Sequence, residues 1–223
     1  MIRRARLVLS LSLPAVLVAF VGAAPQRAIA APTCQAVAPT KIGTQGNDTI
    51  RGTAGNDVIV ALGGDDVVKG LSGNDRICGG GGADKLLGGM GKDVLLGGKG
   101  NDIAKGGADF NVLYGGGGND ALVGGPDRDV FVAGGGNDTA TGNDGNDTMR
   151  GNGGDDALTA SSGSDVLRGG VGADTLYGLD GDDAIAGRPG DDYLDGGLGT
   201  DSLDGNNGKD TCLNGEQQAN CEL

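Results

Sequence analysis

From Gln45 to Gly215 the chain divides into nineteen consecutive nonapeptides without an insertion or deletion. A chain that returns to the same local pattern every nine residues is constrained to build a stack of like units. Typical units read QGNDTIRGT, SGNDRICGG, MGKDVLLGG and VGADTLYGL. The second residue is Gly in seventeen of them, with Asp109 and Asp127 the exceptions. The fourth is Asp in eighteen, with Asn111 the exception. The sixth is apolar throughout, from Ile50 and Ile59 to Leu203 and Cys212, and the eighth is Gly in most units. A short strand over the fifth to seventh positions would turn the sixth side chain inward and its neighbours outward. Collagen is excluded because glycine does not recur every third residue. A disordered acidic linker would not keep an apolar sixth position.

The run Gly79-Gly80-Gly81-Gly82-Ala83-Asp84-Lys85-Leu86-Leu87 fits the pattern GGxGxDxUx. In this pattern, held in one register over about three quarters of its length, the chain resembles the RTX, or haemolysin-type calcium-binding, family. The resemblance implies an all-β fold: a right-handed parallel β-roll, a β-helix solenoid with two nonapeptides in each coil. It also implies that the cofactor is Ca2+, bound as multiple ions.

The residues favour the same metal in their own right. Aspartates eighteen residues apart would stack along one edge at about the 4.8 Å strand spacing, and such a column repels itself unless cations lie between its members. Calcium is a hard ion that takes six to eight oxygens from carboxylates and carbonyls in flexible geometry. Magnesium demands a tighter octahedron, and zinc prefers His and Cys ligands that the repeat lacks. One inward side chain per nonapeptide is a small core against the entropy of ordering nine residues, so metal ligation is expected to couple to folding.

Alternate units fall on opposite edges, which predicts two columns of metal-ligating carboxylates. One holds Asp48, Asp66, Asp84, Asp102, Asp120, Asp138, Asp156, Asp174, Asp192 and Asp210 and is unbroken. The other holds Asp57, Asp75, Asp93, Asn111, Asp129, Asp147, Asp165, Asp183 and Asp201. Its irregularities, Asp109, Asn111 and Asp127, fall in two adjacent units, so weakened calcium binding is expected between Asp93 and Asp129. Over the same stretch the outward positions read Val94, Leu96, Val112, Tyr114, Val130 and Val132. An exposed apolar patch there would suit a protein or polysaccharide partner, although β-propensity or cover by residues 31–44 is the favoured account of it. Phe131 and Ala140 are expected to share a coil as a large–small pair.

The formal net charge is −13, and residues 1–30 hold four arginines and no acid, so their removal leaves 13 basic against 30 acidic residues, a net of −17. That surface repels nucleic acid and anionic lipid. With no His, the chain can form neither a Ser-His-Asp nor a Cys-His arrangement, and no phosphate loop or nucleophile elbow is present; no enzyme is expected.

Arg3, Arg4 and Arg6 precede the apolar stretch Leu7–Ala24, and Ala28-Ile29-Ala30 offers a small-x-small cleavage signal. This predicts a signal peptide over 1–30 and a secreted, extracellular chain with no membrane span after cleavage; an uncleaved anchor is disfavoured by Pro14 and the serines. The expected divisions are the signal, an N-terminal segment or cap at 31–44, the calcium-binding roll at 45–215 and a tail at 216–223. Only fourteen residues separate the cleavage signal from the repeats, so no accompanying toxin or hydrolase domain is expected. In an oxidising compartment the four cysteines allow three pairings. Cys212 with Cys221 is preferred, leaving Cys34 with Cys78; isolated thiols are the alternative. The role expected is a calcium-responsive structural or adhesive one, the alternative being a calcium-dependent binding module for polysaccharide or a protein.

Overall fold

The computed structural model describes residues 37–222. The expected signal segment, its cleavage point and Cys34 lie outside the described residues. Within them the fold is a parallel β-solenoid of twenty-one strands, which alternate along the chain between an eleven-stranded and a ten-stranded sheet. Partners are eighteen residues apart, as in Ile59↔Ile77 and Val68↔Leu86. Two nonapeptides therefore make one coil, as the repeat implied. No helix of the described residues is long and apolar enough to cross a membrane.

The sixth-position side chains form the core. Ile59, Ile77, Leu95, Leu113, Phe131, Met149 and Leu167 line it from the larger sheet, and Val68, Leu86, Leu122, Leu158, Leu176 and Leu194 face them from the smaller. Phe131 and Ala140 are both buried, and the Phe131 ring ends where a Cβ on Gly124 would stand. Most strands run for six residues rather than three, because the ninth residue and the first of the next unit also pair, as in Leu62↔Gly80 and Gly63↔Gly81. That extension requires a left-handed ninth residue: φ is 85° at Leu62, 92° at Leu71 and 88° at Arg188. Side chains other than glycine seldom adopt such values, so the stacked coils must hold them there.

The larger sheet ends on short strands with a polar residue in the core register, whereas the smaller begins with Ile50 and ends with Cys212 there. Lys41 pairs with Ile59 at one end, and Gln218 pairs with Leu203 at the other. Cys212 and Cys221 form the preferred disulfide, with their Cα atoms 5.8 Å apart. Cys78 is also disulfide-bonded.

The outward apolar stretch is less exposed than expected. Val94, Leu96, Val112, Val130 and Val132 are half-buried, and Tyr114 is only 9% exposed. The cause is register: Leu96, Tyr114 and Val132 stand side by side on successive strands and shield one another.

Candidate metal centre

Each fourth-position aspartate precedes a strand, where the chain turns from one sheet to the other. From Asp57 to Asp210 these side chains are buried. The backbone N–H of most donates to Oδ1 of the aspartate eighteen residues on: Asp66 to Asp84, Asp84 to Asp102 and Asp147 to Asp165, at 2.8, 2.8 and 2.6 Å. One such ladder runs unbroken from Asp48 to Asp210. The other starts at Asp57, whose Oδ1 accepts from the Thr40 hydroxyl at 3.0 Å, and passes through Asn111 to Asp201. There the Asp201 N–H donates to Glu216 Oε2 at 2.6 Å, so Glu216 closes a column that the repeat itself does not continue.

The second carboxylate oxygen carries the chemistry. Oδ2 is shut off from solvent with no hydrogen-bond partner in Asp66, Asp75, Asp84, Asp93, Asp102, Asp120, Asp138, Asp147, Asp156, Asp165, Asp174, Asp183, Asp192, Asp201 and Asp210. An anionic oxygen buried without a donor is costly. Burial accordingly pushes the carboxyls of Asp93, Asp102, Asp147 and Asp174 up to about 7. Those of Asp120, Asp156, Asp183 and Asp192 rise to about 6. Backbone N–H groups offset part of the effect, while neighbouring carboxylates, such as Asp84 and Asp120 about Asp102, add to it.

The eighth-position glycine shows what the oxygen faces. A Cβ on Gly79 would fall onto Asp84 Oδ2 and come within 2.7 Å of the Gly97 carbonyl oxygen; Gly88 and Gly151 face the same pair of groups in their own coils. An anionic oxygen and a main-chain carbonyl thus lie close together beside the eighth residue, which is Gly in these turns and a buried Ala before Asp66, Asp138 and Asp165. Among the described residues, no three acidic or sulfur- or imidazole-bearing side chains cluster as a metal cage. Carboxylates spaced one per coil and edge would therefore share a cation with turn carbonyls. An all-oxygen, partly main-chain donor set fits calcium.

Three turns differ. At Asp48, Asp57 and Asp129, Oδ2 accepts the N–H of the residue four positions earlier, Thr44, Thr53 or Gly125, at 2.6, 2.6 and 2.7 Å. The Thr44 and Thr53 hydroxyls donate to the same oxygens at 3.0 and 2.9 Å. These three ninth-position residues, and Gly46, Gly55 and Asp127 after them, lie outside the left-handed region. Every turn with an unpartnered Oδ2 has both positions left-handed, for example Gly80 and Gly82 before Asp84. The backbone state of two residues therefore decides whether the carboxylate is presented or sealed. At Asp57 burial raises the pKa, but bonds from Thr53 and Thr40 outweigh it and hold the carboxyl below its ordinary value. Asn111 follows a left-handed Asp109, yet its amide donates to the Asp109 carbonyl at 2.8 Å.

A further ladder escaped the sequence reading. Third-position Asn47, Asp65, Asn101, Asn119, Asn137 and Asp155 each accept the backbone N–H of the residue eighteen positions on, at 2.8–3.0 Å. The recurrence of Asn and Asp at that position was its only signal.

A family model described as RTX calcium-binding nonapeptide repeat (4 copies) matches residues 42–77, 63–95, 70–104, 96–131, 123–158, 132–167, 159–194 and 177–212. No curated protein matches the chain.

Proposed function

The chain belongs to the RTX calcium-binding nonapeptide repeat family, and from that premise we propose that it is a secreted protein with a structural or adhesive role whose roll orders when calcium fills its open turns. Its repeats bind calcium, and their number implies several ions. The single observation that carries the coupling to folding is the row of buried, unpartnered Oδ2 atoms. We assign ligation to the fifteen aspartates that carry them and take the turns at Asp48, Asp57 and Asp129 as sealed. The divisions at 1–30, 31–44, 45–215 and 216–223 and export by an N-terminal signal are part of the proposal and rest on the sequence pattern.

Circular dichroism of the chain during a calcium titration, repeated with magnesium, tests this reading. A β signal that grows with calcium, not with equal magnesium, and disappears in chelator is expected. The same compact signal with and without chelator would refute it.

A second reading, a calcium-dependent binding module for a protein or polysaccharide, is favoured by the contiguous apolar stretch Val94, Leu96, Val112, Tyr114, Val130 and Val132 on one sheet face. Capture of a cell-envelope component with calcium, lost on Val112→Thr and Val130→Thr, would support it. Capture unaffected by these changes would count against it.

A further inference from the structure

The outer face of the larger sheet changes character beside that apolar stretch. Val132 is followed on the next strands, in register, by Arg150 and Arg168, and then by Ala186 and Asp204. Arg188 lies two residues beyond Ala186 on the same strand, close enough for its charge, like that of Arg150, to act on Arg168. All three arginines are half-buried.

Like charges directly opposite on neighbouring strands are destabilising, and this chain has carboxylates to spare. Yet among the described residues no carboxylate pairs with these guanidinium groups, and the Nε atoms of Arg150 and Arg188 are buried without a hydrogen-bond partner. The next acid in the column, Asp204, is separated by Ala186 and engaged by Asn206 and Asn220 at 3.1 and 2.7 Å. Burial, then the charges of Arg150 and Arg188, draw the Arg168 guanidinium below its ordinary value. Three cations are thus held together with donors unused and, among the described residues, no counter-charge.

We propose that Arg150, Arg168 and Arg188 form a binding site for a multiply charged tetrahedral oxyanion of the sulfate or phosphate type, free or as an ester on a larger ligand. Each guanidinium offers five N–H donors in a planar fork. A lone carboxylate has two oxygens, enough for one bidentate partner, whereas a tetrahedral oxyanion presents three or four, enough to engage several forks. The strand neighbour of Arg168 in register is the small Ala186. Arg150 and Arg168 lie on the sheet face, whereas Arg188 is the ninth residue of the turn before Asp192, so the test uses the first two.

The test is calorimetric titration of the full calcium-loaded chain with sodium sulfate and, separately, with a sulfated disaccharide. Binding that weakens about tenfold or more in Arg168→Gln and in Arg150→Gln, but not in Arg76→Gln on the same face, is expected. Response to both probes assigns a free-ion site, and response to the disaccharide alone assigns an ester site. No binding of either probe, or equal binding by wild type and Arg168→Gln, overturns the proposal. Thermal melts keep the result independent of fold quality. Sulfate should raise the melting temperature of the wild type more than that of Arg168→Gln, whereas equal rises would reduce the effect to general salt stabilisation and refute the site.

Discussion

The turns before Asp84 and Asp129 hold the same carboxylate at the same place in the repeat and present it in opposite ways. Before Asp84, Gly80 and Gly82 are both left-handed, and Oδ2 is left bare toward the Gly97 carbonyl. Before Asp129, the run Gly125-Pro126-Asp127 leaves that region, and the Gly125 N–H occupies the oxygen. On the ligand assignment proposed above, carboxylate identity alone does not make a site, because the amide that an unflipped turn aims at Oδ2 would compete with a metal for the same lone pairs.

The largest expected effect comes from pH in chelator. The folded carboxyls near 6 and 7 stand above the ordinary value of about 3.9 expected in the unfolded chain. The folded state thus holds more protons, and metal-free stability falls as pH rises from about 4 to 7. In EDTA the β signal should be stronger at pH 5 than at pH 7.5. Calcium affinity should run the other way, since its ligands must be deprotonated. A metal-free signal indifferent to pH would mean that the open turns are not strained by their buried charge.

Forcing an open turn shut comes next. Gly118 has a φ of 121°, and a Cβ there would strike the Gly100 carbonyl. Gly118→Val should cost on the order of 3 kcal/mol and one bound ion, read by thermal melting and by calcium stoichiometry. Opening the sealed turn is the converse. Pro126→Gly with Asp127→Gly recreates the glycine pattern of its neighbours, and Asn111→Asp restores the missing carboxylate of that column. The triple variant should bind at least one more ion and gain about 1–3 kcal/mol in excess calcium. Unchanged stoichiometry would show that handedness does not control the site. Thr53→Gly, which removes the Thr53 hydroxyl bond to Asp57 but leaves that carboxylate its bonds from the residue-53 N–H and the Thr40 hydroxyl, should have the smallest effect, within about 1 kcal/mol.

The eighteen-residue register, the sixth-position core and the two aspartate columns were legible in the sequence because each follows from a strict period. The state of the turns was not. Leu62, Leu71 and Arg188 are poor candidates for positive φ, yet adopt it, while Thr44 and Thr53 do not. Local preference does not separate these cases; the pairing of the ninth residue with the next coil does. The defect around Asn111 and Asp129 was visible as broken positions, but the sealing of Asp48 and Asp57 was not, since both follow regular GND triplets. Glu216 was missed because it enters the ladder fifteen residues after Asp201, off the period. Tyr114 was expected in the open because alternation gives the face a side chain points from, not the shielding by its strand neighbours.

A template that repeats every coil has no intrinsic length, and another copy could in principle dock on either end and continue the ladder. Lys41 and Gln218 stand where that copy would need an apolar contact, so joining would bury an ammonium or an amide with nothing apolar to match. Growth by extension of the larger sheet is thereby discouraged at both of its edges.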